Sequence, residues 1–590
     1  MKEFFQLQKD FDFKLEDGKL IPAFKDQNRN TITSDQVENF TTVKKYSTSV
    51  KSYFNHPPQT YSKIVGVDIE TTGLDYYQNQ IRLIAVYGEE FNYVGNNLQE
   101  VEEILINPSI LKVFHNASFD VSFLKVAGIE VKNYTDTLVM AQIIDNCVVY
   151  ESLERLARKY LNLELDKDLQ HSENWQDELK PEHYNYCLKD AEVTLKLFRV
   201  LYDLIINSYL FPTYRREIEA LPSIIELQTN GMLIDEREVR NFIGIVDAER
   251  QELADRLKKQ LTCDNLNSSI QLLEALKQLG VPIQDVQERT LKQHIGFCPI
   301  VKDLVQYKKQ TKIITTYGEQ LLSKVGTDNR IRGNWNLIGT NTSRMTCRQP
   351  NFQGIPSEIK PFFRAGMGNV FVILDYSTIE LRILAEISQC EKLIDAFNRG
   401  LDLHYETAKT ILDKEEISDH ERQLGKIINF GLIYGLTSFG LMHQINAVPG
   451  FNISEGEAQK FIDMYFANYK GVAKYRNQQL KSSIVTTLGG RYWDSTNGLN
   501  VLKPRQRLNY AIQSSCAEGL KVALALLMDQ KKASWKIVSA IHDEIICEVP
   551  EEEADQAKET IEKIMINGMQ KLVKQVPIEV EGHVSKVWTK

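Results

Sequence analysis

Cysteine is scarce and scattered in this 590-residue chain: eight residues, none forming a Cys-x-x-Cys pair. That spacing indicates neither a zinc site nor a disulfide framework, so a reducing compartment is the simplest setting. No apolar run approaches the roughly 20 residues needed to cross a bilayer, so no membrane is expected. The opening residues, MKEFFQLQKDFDFKLEDGKL, are too acidic for a signal or transit peptide. Internal repeats and low-complexity tracts are also missing. Positive charge is not in excess: the net charge of −9 argues against a generally basic nucleic-acid coat. It still permits lysines and arginines gathered along one cleft. What remains is an ordinary globular composition over a length that allows several cores.

Residues 1–58 read as a short mixed segment, closed by the proline-marked HPPQT. A β-then-α block over 59–209 follows, with KIVGVDI, RLIAVYG and LKVFHN as strands and YNYCLKDAEVTLKLFRVLYDL as a helix. Long amphipathic helices such as EREVRNFIGIVDAERQELADRLKKQL dominate as far as about Lys324. Beyond that, strands and helices mix to the end of the chain.

In KIVGVDIETTG, Asp68 and Glu70 lie two apart on a strand and project from the same face. HNASFD adds Asn116 and Asp120. YNYCLKDAE adds Tyr186 and Asp190, four apart on a helix and so on one face. Any one of these acids alone is better read as a cap or surface charge. Together, four acids and a tyrosine could hold two Mg²⁺ ions around a phosphodiester.

The same pattern recurs later. FVILDYSTIELRILAEIS is an apolar strand ending in Asp375, with Glu380 where a helix begins. SAIHDEIICEVP reads as a buried hairpin carrying His542, Asp543 and Glu544 where apolar residues are expected. Burying adjacent carboxylates costs several kcal/mol unless something cationic meets them. If Asp375 and Asp543 converge, a pair of Mg²⁺ ions fits between them. Between the two runs lies HERQLGKIINFGLIYGLTSFG, where Arg422, Lys426, Phe430 and Tyr434 recur every four residues of a helix. Two cations followed by two aromatics suit a triphosphate at one end and a base or sugar at the other. An amphipathic helix with core aromatics is the plainer alternative. Gly425 and Gly431 each cost the helix about 1 kcal/mol against alanine, which suggests a close approach there.

The first constellation resembles the DEDD-type 3′→5′ exonucleases of the tyrosine-bearing subgroup. The second, with RxxxKxxxFxxxY then Gly435 between DYSxIELR and HDE, resembles the family A DNA polymerases of the DNA polymerase I, Klenow-like type. That resemblance runs from Tyr61 onward. It includes LQTNGMLID, NLNSS, IGTNTSRMTCRQPNFQGIP, DLHYETA, YFANYKGV, TLGGR and RQRLNYAIQSSCAEG. Thr378 stands where the family usually has glutamine, and Asn341 and Gly354 also replace more usual residues. The layout is similar to a divergent branch that includes apicoplast and some thermophile and phage enzymes.

The resemblance implies an α/β multidomain fold: a ribonuclease H-like exonuclease domain over 59–209, then a right-hand polymerase domain over 210–590. The thumb would cover about 225–330, the palm about 331–395 and 500–590, and the fingers about 396–499. It implies a template-directed DNA polymerase adding dNTPs to a primer 3′ end, with proofreading, in replication or repair. Asp68, Glu70, Asp120 and Asp190 would hold two metals while Tyr186 orients the attacking water. Asp375, Asp543 and the Tyr376 carbonyl would hold two more, with Glu544 a neighbouring catalytic acid. Mg²⁺ is implied at both sites, with Mn²⁺ able to replace it. Arg422 and Lys426 would contact the nucleotide phosphates, Phe430 and Tyr434 would shape the pocket, and Glu380 would lie under the sugar. Arg344, Arg505, Asn509, Gln513 and His542 would line the primer–template end.

Lys302, Lys308, Lys309 and Lys312 are candidate duplex-phosphate contacts, with a solvated helix face as the alternative. The implied enzyme is a monomer with primer–template DNA and dNTPs as its partners. Its place is the cytoplasm or nucleoid of a bacterial or phage source. For an organellar source it is the plastid (apicoplast), with the targeting segment absent from this chain. A single-subunit RNA polymerase is the enzymatic rival, and the exonuclease block and Glu380 argue against it. A catalytically dead DNA-binding scaffold is the other rival. Retention of every acid argues against that.

Overall fold

The computed structural model describes residues 64–589 except 90, 147–149, 167–168, 170–174 and 497–500, together with 11–16 and 19–24. Phe11–Glu16 and Lys19–Phe24 pair as antiparallel strands. The rest of the expected 1–58 segment, the HPPQT boundary and Tyr61 lie outside the described residues.

The first block is a five-stranded sheet with Ile64–Thr71 at its centre. That strand runs antiparallel to Ile81–Tyr87 and parallel to Leu111–Phe114. Val65, Val67 and Ile69 are buried, whereas Asp68 and Glu70, on the alternate face, are half-buried. The helix Pro181–Asn207 packs on the face that carries the two acids. A Cβ on Gly66 would lie 2.1 Å from the Ala191 carbonyl oxygen, so only glycine allows this approach. The fit brings Asp190 over Asp68 and Glu70.

The second block centres on a four-stranded antiparallel sheet in the order Lys536–Ile541, Glu544–Pro550, Asn369–Tyr376, Val580–Ser585. His542 and Asp543 form the two-residue tip of the hairpin, with Ile541 opposite Glu544 and His542 in the left-handed region at φ 57°. The polar residues within SAIHDEIICEVP therefore sit at a turn and just after it, which is why a buried hairpin tolerates them. Further along, buried Glu548 is met by both guanidinium nitrogens of Arg330 at 2.8 and 2.9 Å, by Asn369 and by the Gly366 N–H.

Pro504–Gln530 corrects one expectation. Among the described residues this single helix is long and apolar enough, by length and composition, to cross a membrane. Its most apolar stretch is 83% buried inside the protein, so apolar residues on all sides reflect a core helix. The helical arm, including Glu236–Leu261 and Pro299–Tyr317, has an outer core of its own, with Leu257, Leu276, Val301 and Leu304 fully buried.

Asp419–Ile433 starts at a capping box: Ser418 accepts from the Glu421 N–H and Glu421 accepts from Ser418. The helix ends at Ile433, so Tyr434 caps it and does not lie within it as the four-residue recurrence suggested. A Cβ on Gly425 would sit 1.9 Å from the His404 carbonyl oxygen, so a neighbouring helix backbone makes the close approach.

Candidate active sites

Asp68, Glu70 and Asp190 present carboxylate oxygens all within 4.8 Å of one another, the single such group of three or more among the described residues. Every donor is a hard oxygen, the set Mg²⁺ or Mn²⁺ prefers. Asp120 stands just outside this group, fully buried, and its Oδ1 accepts from the Ile69 N–H at 3.2 Å. Burial pushes its carboxyl well above the usual carboxylate range, and the charge of Asp68 pushes it further. Anionic repulsion in this form is what a cation would relieve.

Tyr186, one helical turn before Asp190, has its phenol pushed up by burial and then by Asp190, Glu70 and Asp68. It stays protonated and can donate a hydrogen bond. Asn116 serves the scaffold: its N–H donates to Asp136 at 2.9 Å. Sequence reasoning missed Cys187, whose buried thiol lies 3.7 Å from Asp68 Oδ2. Its place beside Tyr186 was the available signal.

At the second site, the pairing of Asp375 with Glu544 and the bond from the Tyr376 N–H to the Asp543 carbonyl (3.3 Å) bring the two aspartates together. Their carboxyl groups are within hydrogen-bonding reach. Burial raises the Asp543 carboxyl, with Glu380 adding to the rise and Arg344 opposing it. The Tyr376 phenol donates to the Met565 carbonyl at 2.7 Å in the core. Glu544 is itself buried.

Glu380, in the first turn of Ile379–Ser388, accepts from Arg344 Nη2 at 2.7 Å and from the Tyr434 hydroxyl. Burial and the Glu380 charge push the Tyr434 phenol up, and Gln513 also reaches it. Arg344, Glu380, Tyr434 and Gln513 thus form one cluster. Arg505, Asn509 and Gln513 follow one another at helical spacing along the start of Pro504–Gln530. His542 is exposed at the hairpin tip.

Lys426 is exposed, and Arg422 Nε donates to Asp402 Oδ2 at 2.6 Å. Despite burial, which acts the other way, that bond holds the Asp402 carboxyl below its ordinary range. Phe430 is half-buried, its ring 5.6 Å from that of His404. Burial lowers His404 to about 4, so the imidazole is neutral at pH 7. Asp402 and His404 were missed as site residues, although DLHYETA carried them.

Lys308, Lys309 and Lys312 line an open cleft of about 1000 Å³ together with Lys292 and Gly354. Lys302 is not among its lining residues. Lys308 donates to the Val286 carbonyl at 2.9 Å, and Lys309 pairs with Glu358.

Comparison with known proteins finds two families along the chain. Residues 237–590 match the family described as DNA polymerase family A, and residues 38–206 match a 3′-5′ exonuclease family. DNA polymerase I of Aquifex aeolicus is 31% identical over 567 residues, covering 89% of this chain and 95% of its own. DNA polymerase I of Borreliella burgdorferi is 29% identical over 89% of this chain, which spans 62% of that relative. The fold is similar to the polymerase domain of Pol1 from M. smegmatis, solved with DNA primer-template and dNTP. The TM-score is 0.79 at 22% identity, covering 90% of this chain and 96% of that one. The chain belongs to DNA polymerase family A. It carries a 3′-5′ exonuclease domain ahead of the polymerase domain.

Proposed function

We propose that the chain extends primer–template DNA with dNTPs at the Asp375–Asp543 site and removes misincorporated 3′ ends at the Asp68–Glu70–Asp190 site. The observation that carries this is two acid sets in separate parts of the fold: Asp68, Glu70 and Asp190 around the five-stranded sheet, and Asp375 with Asp543 at one end of the four-stranded sheet. The exonuclease domain is placed at 59–209 and the polymerase domain at 210–590. Within the latter, the thumb is about 225–330, the palm about 331–395 and 500–590, and the fingers about 396–499.

Asp375, Asp543 and the Tyr376 carbonyl would hold two Mg²⁺ ions, and Asp68, Glu70, Asp120 and Asp190 two more. When bound, such ions supply charge neutralisation at the phosphate and lower the pKa of the attacking oxygen. Arg422 and Lys426 bind the triphosphate. Asp402, bonded to Arg422 Nε, positions that guanidinium. Phe430 and Tyr434 shape the base and sugar pocket. Arg344, Arg505, Asn509, Gln513 and His542 hold the primer–template end, and Lys308, Lys309 and Lys312 face duplex phosphates. Tyr186 donates a hydrogen bond that orients the water attacking the terminal phosphodiester. The protein acts as a monomer.

Extension of a labelled primer should proceed with dNTPs and Mg²⁺, follow the template, and fail with rNTPs. Equal use of rNTPs would overturn the reading in favour of an RNA polymerase. Lys426→Ala should slow nucleotide addition about 10²–10³-fold, because it removes charge where negative charge builds on the leaving pyrophosphate. Primer–template affinity should change far less. Equal loss in both would place Lys426 on the DNA.

A further inference from the structure

The turn that presents Arg344 is held at both ends by residues leading back to the exonuclease domain. It closes on itself where the Gly339 N–H donates to the Arg344 carbonyl at 2.9 Å. Ser343 is fully buried with a left-handed φ of 53°, uncommon for a residue bearing a side chain. Its hydroxyl meets that of Ser514 at 2.7 Å, and its carbonyl accepts from Lys521 Nζ at 2.7 Å. Lys521 also donates to one oxygen of Glu217 at 2.7 Å, while Arg491 donates to the other at 2.9 Å. The side chains of all three ions are 1% exposed.

Two residues, Asn146 and Gln142, carry the path into the exonuclease domain. Arg491 Nη1 donates to Asn146 Oδ1 at 2.6 Å, and Asn146 Nδ2 donates to the Tyr492 carbonyl at 2.6 Å. Four residues earlier, Gln142, buried in the helix Thr137–Ile144, donates to the Ile338 carbonyl at 3.0 Å. Ile338 starts the turn and Ser343 precedes Arg344, so the two contacts bracket it.

We infer that Gln142, Asn146 and the Arg491–Glu217–Lys521 cluster are positioning residues for Arg344, through which the exonuclease domain braces the synthesis site. The inference rests on Arg344 as a contact of the primer end. A buried ion cluster is poor evidence of added stability, because desolvation opposes the attraction between its members. Fixing one geometry is the better account of a cluster that ends on a strained turn. Arg344 needs that geometry because its guanidinium must serve Glu380 and the primer together, and small misplacements of such a group are costly.

The test uses the full-length enzyme on matched primer–template with saturating dNTP, measuring kcat and the Kd for DNA separately. Gln142→Ala with Asn146→Ala should lower kcat about tenfold. DNA affinity and degradation of single-stranded DNA should stay within about twofold. In an Arg344→Ala background the same pair should change kcat by less than about twofold, because the residue acted upon is gone. Asn146→Asp, which keeps the acceptor for Arg491 but loses the donor to the Tyr492 carbonyl, should fall between the parent and Asn146→Ala. Lys521→Met should show the same pattern, and the peripheral pair keeps the test decisive if that variant does not fold. An equal loss with and without Arg344, no loss in the parent, or a matched fall in both activities would each overturn the inference. A wild-type kcat from Arg344→Ala alone would remove the reading beneath it.

Discussion

Asp543→Ala should abolish primer extension, by on the order of 10³-fold or more, and leave degradation of the primer intact. Asp68→Ala with Glu70→Ala should do the reverse. Each acid set is assembled around its own sheet, with the helix Pro181–Asn207 adding Asp190 to the first. Asp543 sits at the hairpin tip next to the end of Asn369–Tyr376, and Asp68 and Glu70 lie on the central strand of the five-stranded sheet. Asp120 is pushed up by burial and then by Asp68, so removing the Asp68 carboxylate takes away an unfavourable charge beside it. Thermal unfolding should therefore find the variant with Asp68→Ala and Glu70→Ala still folded. Loss of both activities in either folded variant would mean that the two sites are not separate.

Glu380→Ala should raise ribonucleotide use relative to deoxyribonucleotide by about 10–100-fold, while overall rate falls. Glu380 is not spent on capping its own helix. Its oxygens are taken by Arg344 and the Tyr434 hydroxyl, which fixes the carboxylate beside the nucleotide helix. A group so held can crowd a sugar 2′ position. Tyr434, kept protonated by burial and by the Glu380 charge, supports it from the other side. Glu380→Gln separates size from charge: it should keep most of the sugar preference and lose rate through Arg344. Were Glu380 only a residue favoured by the helix dipole, the alanine variant would lose about 0.3–1 kcal/mol of stability and keep its preference.

Local periodicity made much of this legible in the sequence. A period of two put Asp68 and Glu70 on one face, and a spacing of four put Tyr186 above Asp190. The hairpin around Asp543 followed from its alternation, although its tip did not. Contacts across the chain were beyond that kind of reasoning. Nothing in RxxxKxxxFxxxY shows that Arg422 rests on Asp402, twenty residues away, or that His404 packs against Phe430. Glu217, Arg491 and Lys521 lie in separate motifs, and folding alone joins them. The helix beginning at Pro504 misled for a physical reason. Its most apolar stretch is 83% buried inside the protein, and composition could not separate such a core helix from a spanning one.

The most direct test is one reaction: full-length protein, Mg²⁺, all four dNTPs and a primer whose 3′ terminal base mismatches the template, with the products sequenced. The account predicts that the mismatched base is removed, replaced by the base the template specifies, and followed by full extension. Extension that retains the mismatch, or degradation with no resynthesis, would contradict it.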